Sequence, residues 1–200
     1  MKLSIKRKGN NMPSETFNNL SEDKKERIIT SLKNTFAKKS IFDASVKEVV
    51  EDLNIARGSF YQYFEDLEDA YFMILDRETV DIHHLFQKIL KENDFDIFKS
   101  LEIYGEELQE ILFEEENYSI YKNRFLHWTC QLESKWQKYK RENSTNIYED
   151  AFYDREIIHF VKAVVHDLIE RNYIEGWTKD EFLQKFESYI DWLKGGIKWD

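Results

Sequence analysis

Cysteine, proline and glycine are all scarce in this chain. Its 200 residues include one Cys, one Pro and six Gly. A single Cys excludes a disulfide framework and a four-thiolate zinc site. So few turn-forming residues argue against an all-β fold, which needs many tight turns. No apolar run approaches the roughly 18 residues of a membrane-spanning helix, and the basic start is not followed by the apolar stretch of a secretory signal.

Aromatic and charged residues are plentiful instead. The chain is 42% hydrophobic and 34% charged, with 15 Phe, 11 Tyr and 5 Trp. Disordered chains carry far fewer aromatic residues. The length is enough for one large or two small domains with a buried core. Together with the scarcity of turn residues, this composition predicts an all-α, cytoplasmic protein.

Charge is distributed unevenly along the chain. Residues 1–64 carry 12 basic and 8 acidic side chains, a net charge of +4, whereas residues 65–200 carry 17 and 31, a net charge of −14. This asymmetry favours a molecule in which the N-terminal third can approach a polyanion such as DNA. The alternative is an acidic surface that only keeps the protein soluble.

Apolar residues recur at helical spacing through most of the chain. After a polar tail of about twenty residues, the first helix begins at Ser21. Ser45 begins a second helix and has Glu48 three residues later as its capping-box partner. Asn54 suits the turn that follows, because it tolerates the left-handed backbone conformation. A short third helix is predicted over residues 56–63.

The rest of the chain is also predicted to be helical. A fourth helix of about 25 residues begins at Asp66 and is expected to join two domains rigidly. Further helices are predicted over 96–113, 118–140, 154–173 and 178–194. We place the domain boundary within the fourth helix, which gives an N-terminal domain of residues 1–82 and a C-terminal domain of residues 83–200.

Two short helices with a tight turn in a basic region predict a helix-turn-helix at about residues 45–64. Ile55, Phe60 and Phe64 are expected to face inward. Arg57, Gly58, Ser59 and Gln62 are expected to face outward. A three-helix packing unit that does not bind DNA is the alternative.

The outward residues have the chemistry that DNA recognition needs. Arg57 can contact guanine or a phosphate, and Ser59 can do either more weakly. Gly58 costs about 1 kcal/mol in a helix relative to Ala, which is best explained by close approach of the backbone to a DNA groove. Tyr61 and Tyr63 offer hydroxyls to the flanking phosphates.

Residues 25–75 resemble the DNA-binding domain of the tetracycline-repressor (TetR) family of bacterial transcription regulators. The matching segments are VKEVVEDLNI after Ser45, then ARGSFYQYF and EDLEDAYFMIL. The resemblance implies phosphate contacts from Ser45, Tyr61 and Tyr63. It also implies groove contacts from Arg57, Gly58 and Ser59.

Two positions depart from the family pattern. Ala56 stands where a Ser or Thr usually caps the recognition helix, and Leu67 stands where a Lys is frequent. One phosphate contact can therefore be missing. The basic tail could compensate by reaching the minor groove, although a solvated tail and an internal start at Met12 are alternatives. Its cations are Lys2, Lys6, Arg7 and Lys8.

The resemblance implies a repressor that binds a palindromic double-stranded DNA operator and releases it when a small-molecule effector binds the C-terminal domain. Tyr104, Tyr121, Phe125 and Trp128 are the candidate ligand contacts, with ordinary core packing as the alternative. A lipophilic cation and a flat hydrophobic molecule are both candidate ligands. No cofactor, metal site, membrane partner or enzymatic activity is expected, since no catalytic motif is present.

The sequence also predicts how the chain assembles and leaves two alternative functions open. The last two predicted helices carry apolar residues on more than one face, which predicts a homodimer through these helices. One alternative function is a TetR-like interaction protein that binds another protein instead of a specific DNA sequence. The other is a haem- or metal-sensing repressor that uses His83, His84, His159 and His166.

Overall fold

A computed structural model of the chain describes residues 13–79, 82–143 and 156–195. Within these ranges the chain forms helices and no strand, so the all-α prediction is confirmed. None of these helices is both long and apolar enough to cross a bilayer. The helices are α1 (Glu15–Asn18), α2 (Glu22–Lys38), α3 (Val46–Leu53), α4 (Arg57–Tyr63), α5 (Leu67–Glu78), α6 (Ile82–Glu92), α7 (Ile97–Leu112), α8 (Tyr118–Leu126), α9 (Cys130–Asn143), α10 (Glu156–Glu175) and α11 (Lys179–Gly195).

The described residues form two compact units. The first unit contains residues 13–77 and 128–143, and the second contains residues 78–79, 82–127 and 156–195. Helix α9 therefore groups with the N-terminal helices. From the sequence it was expected in a second domain that began at residue 83.

The first unit is built around α2, α3 and α4. Helix α2 buries one stripe of apolar residues, among them Leu32 and Phe36, at the spacing of a single helix face. Val49 of α3 and Phe60 of α4 complete this core. Together they form the three-helix arrangement that the sequence predicts.

Aromatic packing holds α9 in the first unit. The rings of Trp136 and Tyr139 stack with centroids 5.6 Å apart, and both lie within 6 Å of the ring of Phe72 on α5. The prediction of one helix over 118–140 is wrong, because α8 ends at Leu126 and α9 begins at Cys130. The hydroxyl of Thr129 accepts a hydrogen bond from the backbone N–H of Leu132 at 3.2 Å and so caps the new helix.

The predicted fourth helix is also divided. Helix α5 ends at Glu78 and α6 begins at Ile82, so the expectation of one continuous helix of about 25 residues is wrong. Thr79 and Val80 are β-branched, which lowers their preference for helix. The Thr79 hydroxyl accepts a hydrogen bond from Arg124 at 3.2 Å.

The second unit packs α6, α7, α10 and α11 around a shared apolar core. Asp96 caps α7 by accepting a hydrogen bond from the Lys99 N–H, and Thr178 and Glu181 form the capping box of α11. Gly105 of α7 lies directly against the ring of Phe186 of α11. A Cβ at Gly105 would come within 2.6 Å of that ring, so a close helix crossing requires this glycine.

Candidate nucleic-acid interface and cavity

The start of α3 is fixed by a complete capping box. The Ser45 hydroxyl accepts a hydrogen bond from the Glu48 N–H at 3.3 Å, and the Glu48 carboxylate accepts one from the Ser45 N–H at 3.1 Å. Lys39 forms an ion pair with Glu48, and its hydrogen bond is the main reason why the pKa of that carboxyl is lowered. Ser45, for which the family resemblance implies a phosphate contact, therefore has a defined position.

The turn between α3 and α4 has the left-handed residue that the sequence predicts. Asn54 has a φ of +52° and ends α3. The Ile55 N–H then donates a hydrogen bond to the Val50 carbonyl at 3.0 Å, which closes the turn. This turn sets the direction in which α4 leaves α3.

The outer face of α4 presents the predicted contact residues. Arg57 and Gly58 are exposed, Ser59 is half-buried, and Tyr61 is 46% exposed. The Arg57 guanidinium donates a hydrogen bond to the Tyr61 hydroxyl at 3.2 Å and lies 5.8 Å from the centre of that ring. Arg57 and Tyr61 thus form one polar patch of the kind that contacts phosphates and base edges.

Gly58 has no packing role inside the first unit. A Cβ placed there would meet no atom within 4 Å. Its backbone has no unusual φ that would require glycine. The fold itself therefore gives no reason for a glycine in the middle of a short helix.

Tyr63 is placed differently from the prediction. It is only 6% exposed, and its ring packs edge-on against Phe17 with centroids 6.2 Å apart. On the inner face, Phe60 and Phe64 are buried as expected, whereas Ile55 is half-buried. Tyr63 faces the interior because α1 covers this side of α4.

Helix α1 lies within the first twenty residues, which the sequence pattern indicated to be a polar tail without a helix. The Ser14 N–H donates to the Tyr63 carbonyl at 3.0 Å, and the Ser14 hydroxyl donates to the Gln62 carbonyl at 2.6 Å. Phe17 is buried against Phe64 as well. Ser14 followed by Glu15 is a helix-start signal that could have revealed this element.

The departures from the family pattern have visible structural consequences. Ala56 occupies the N-cap position of α4 and makes no side-chain cap hydrogen bond. Leu67 is half-buried at the start of α5 and offers no donor to a phosphate. Both positions lack the polar group that the family pattern usually supplies.

The positive charge of the N-terminal third comes from its first residues. Residues 13–64 contain 8 basic and 8 acidic side chains, so their net charge is zero. The excess of +4 belongs to Lys2, Lys6, Arg7 and Lys8, which lie outside the described residues.

One buried carboxyl, that of Asp69, lies in the first turn of α5. Asp69 accepts a hydrogen bond from the Glu65 N–H at 3.1 Å, and its own N–H donates to Asp66 at 2.8 Å. Burial raises the pKa of Asp69 to about 6, against the Glu65 hydrogen bond, which lowers it; the Asp66 and Glu65 carboxylates add to the increase. The side chain therefore changes charge slightly below neutral pH.

The four aromatic residues predicted to contact a ligand do not share one place. Tyr104 and Tyr121 are buried in the core of the second unit. Phe125 is half-buried in the same unit, with its ring 5.7 Å from that of His166. Trp128 belongs to the first unit, where its indole N–H donates to Glu133 at 2.7 Å.

A cavity of about 50 Å³ lies in the second unit between α6, α7 and α10. Of the predicted ligand contacts, only Tyr104 lines it. Its other apolar lining residues are Phe86, Ile158, Val161 and Val165. Its polar lining residues are His83, Gln87, His159, Lys162 and His166. The sequence spacing of His159 and His166, seven residues apart, places both on one face of α10; Lys162, three residues after His159, lies near the same face and could have been found by the same spacing.

Two histidines at this cavity are in direct contact. The Nε2 atoms of His83 and His166 lie 2.7 Å apart, and their rings stack with centroids separated by 4.9 Å. Within the described ranges, no group of three or more His, Cys, Asp or Glu side chains is arranged to hold a metal ion. The His pair thus forms a hydrogen-bonded polar centre beside the apolar part of the cavity lining.

Comparison with known proteins identifies relatives of both sequence and fold. Residues 97–196 match a family described as tetracyclin repressor, C-terminal domain. No curated protein matches the chain.

Solved structures resemble this chain over most of its length. A TetR family transcriptional regulator from Chloroflexus aurantiacus is 22% identical, with a TM-score of 0.53, covering 95% of this chain and 100% of that one. NalD, the secondary repressor of the MexAB-OprM multidrug efflux pump in Pseudomonas aeruginosa, is 15% identical (TM-score 0.59; 85% and 96% covered). The fatty acid degradation regulator FadR from Bacillus halodurans is 14% identical (TM-score 0.56; 86% and 99% covered). At these identities the likeness concerns the fold.

Proposed function

This chain belongs to the tetracycline-repressor family of transcriptional regulators, and we propose from that premise that it is a ligand-responsive repressor. It binds a palindromic DNA operator as a homodimer and releases it when a small molecule occupies the second unit. It acts by binding in the cytoplasm, with no reaction and no resident cofactor.

The outer face of α4 is the observation that carries the DNA-binding part of the proposal. Arg57 and Tyr61 form an exposed polar patch beside Gly58, whose missing side chain has no purpose within the fold. A bare backbone next to a guanidinium is suited to close approach to a major groove. We assign groove contacts to Arg57, Gly58 and Ser59.

Phosphate contacts are assigned to the ends of the helix-turn-helix. Ser45 stands at the N-terminus of α3, where backbone N–H groups and the positive end of the helix favour an anion. Tyr61 adds an exposed hydroxyl. Tyr63 is only 6% exposed and offers its hydroxyl little access to a phosphate, so its contribution is to hold α4 in place.

The ligand-responsive part depends on the cavity between α6, α7 and α10. A ligand shifts the dimer toward a state with weak DNA affinity only to the extent that it binds that state more tightly. The apolar wall with a few polar groups is the usual form of a small-molecule site.

An arginine substitution tests the DNA-binding proposal. Arg57→Ala should weaken binding to the regulator's own upstream region by about 1–3 kcal/mol, roughly 5- to 150-fold in Kd, measured by fluorescence anisotropy at physiological salt. Arg141→Ala, which removes an exposed arginine from α9, is the matched control and should leave Kd unchanged.

A protein-interaction function is the second candidate. It is favoured by Ala56, which leaves α4 without a side-chain cap, and by the zero net charge of residues 13–64. Under this alternative the wild-type protein would bind its upstream region no better than random duplex, and Arg57→Ala would not change that binding.

A further inference from the structure

The residues that line the cavity between α6, α7 and α10 differ in charge from residues 65–200 as a whole. Residues 65–200 contain 31 acidic and 17 basic side chains. Even so, none of the residues that line the cavity is acidic, and Lys162 and three histidines are among them. A cationic ligand would find no carboxylate there, whereas an anion would find several donors.

The histidine pair gives this cavity a centre that responds to an anion. At a separation of 2.7 Å, the Nε2 atoms of His83 and His166 share one hydrogen bond, with one nitrogen donating and the other accepting. A negative group beside the pair favours an added proton and then accepts a charge-assisted hydrogen bond. Lys162 brings an ammonium group on a half-buried side chain to the same cavity.

The apolar part of the lining is suited to a hydrocarbon. Phe86 and Tyr104 lie with ring centroids 5.2 Å apart, both buried, and Val165 extends the apolar surface. A volume of about 50 Å³, at roughly 10–15 Å³ for each water-sized group, holds about three to five carbon atoms. The exposed side chain of His159 also lines the cavity, which is therefore accessible to solvent.

We propose that this cavity binds a small monocarboxylate with an apolar body of about three to five carbons. The carboxylate is held by the His83–His166 pair and Lys162, and the hydrocarbon lies against Phe86, Tyr104 and Val165. This assignment names the chemical class of the effector and rests on the proposed function only for its effect on DNA.

The test compares valerate with valeramide, its uncharged isostere, by isothermal titration calorimetry on the full-length protein without DNA. Valerate is expected to bind about tenfold more tightly or better, because only the carboxylate receives charge-assisted hydrogen bonds. His83→Gln and Lys162→Gln should each reduce that preference severalfold while the affinity for valeramide stays the same. His127→Gln and Lys99→Gln, which change exposed residues away from the cavity, are the controls and should preserve the preference.

Several results would overturn the assignment. Equal affinities for the acid and the amide would show that the cavity does not recognise a carboxylate. A preference for the acid that persists in both His83→Gln and Lys162→Gln, with unchanged thermal melting, would show that these residues do not hold it. Failure of valerate to bind at millimolar concentration would also exclude a carboxylate site in this cavity. Binding of Zn²⁺ that His83→Gln abolishes and valerate does not compete with would assign the pair to a metal instead.

Operator binding separates this inference from the proposed function. If valerate binds as expected but leaves the operator complex intact, the carboxylate site stands and ligand-induced release is wrong. If another compound releases the operator while valerate does not bind, the repressor function stands and the carboxylate assignment is wrong.

Discussion

At the scale of single residues, Gly58 offers a test in which stability and DNA affinity move in opposite directions. A methyl group there meets nothing within the fold, and alanine is favoured over glycine in a helix by about 1 kcal/mol. Gly58→Ala should therefore raise the free energy of unfolding in urea by up to about that amount. It should weaken operator binding measured by anisotropy, because the methyl would lie between the helix backbone and the groove.

Gly105 is the matched contrast to Gly58. Its Cβ would come within 2.6 Å of Phe186, so Gly105→Ala should lower the free energy of unfolding, by about 1–3 kcal/mol for an overpacked core. A Gly58→Ala protein that binds its operator at full strength would show that the α4 backbone does not approach DNA closely.

Asp69 predicts a pH dependence of stability. Burial raises its pKa to about 6 in the folded protein, from 3.8 ordinarily, so between these values the folded state binds more protons than the unfolded state. Stability therefore falls as pH rises through this window. Asp69→Asn keeps an acceptor for the Glu65 N–H and removes the charge. It should raise the free energy of unfolding at pH 7 by at most about 3 kcal/mol and flatten the profile.

The control for this prediction is Asp180→Asn, which removes an exposed carboxylate from the first turn of α11. It should leave the slope between pH 4 and pH 6 unchanged. Urea unfolding followed by circular dichroism at several pH values measures both variants. An Asp69→Asn profile parallel to that of the wild type would show that another group titrates in this window.

At the scale of elements, α1 packs on the end of α4 and holds it in place. Phe17 packs on Tyr63 and Phe64 while Ser14 bonds to the backbone of Gln62 and Tyr63. Phe17→Ala should lower the free energy of unfolding by about 3 kcal/mol. It should also weaken operator binding, since α4 loses its support.

Deletion of residues 1–11 is the companion experiment, because it removes four cations and keeps Ser14 and Phe17. It should leave the unfolding free energy unchanged. The slope of log K against log salt should decrease by about 0.9 for each DNA phosphate that the tail neutralises in the intact protein. An unchanged slope would mean that the tail does not contact DNA. An unchanged stability of Phe17→Ala would show that α1 does not hold α4 in place.

Helix starts with a capping side chain could be predicted from the sequence, and breaks inside an apolar pattern could not. The capping signals at Ser45, Asp96 and Thr178 are local, and the structure has each of these caps. Near Thr79 and Thr129, however, no glycine or proline interrupts the apolar spacing. The local signals there, the β-branched Thr79 and the capping hydroxyl of Thr129, are weaker than the apolar spacing. At Thr79 a hydrogen bond from Arg124 adds a tertiary contact that the local sequence does not show.

The outer face of α4 could be predicted from the local sequence, and the cavity between α6, α7 and α10 could not. The outer face of α4 comes from seven consecutive residues, so helical periodicity alone identified Arg57 and Gly58. The cavity combines side chains of three helices separated by up to about eighty residues, and only packing brings His83 to His166. The aromatic content suggested a ligand site, but it did not distinguish Tyr104 at the cavity from Trp128 in the other unit.

At the scale of the whole molecule, the outer faces of α10 and α11 support the proposed homodimer. Phe160 and Trp192 are each 50% exposed, and Val164 and Leu193 are half-buried beside a shallow apolar groove. Apolar side chains on a second face of both helices need a partner that the described residues do not supply. Phe186, by contrast, is buried against Gly105, so a charge at that position would unfold the unit and could not test assembly.

Phe160→Asp and Val164→Asp place a charge on the proposed interface and should give folded monomers by sedimentation equilibrium with unchanged helical circular dichroism. Operator affinity should fall with the loss of the dimer. One short recognition helix buries too little surface for specific binding, whereas two copies held about 34–36 Å apart can read successive major grooves. Phe95→Asp removes an equally exposed aromatic from the loop before α7, at a left-handed position that aspartate tolerates, and should remain dimeric. A monomeric wild type at micromolar concentration, or a Phe160→Asp monomer with full operator affinity, would show that α10 and α11 do not form the assembly on which DNA binding depends.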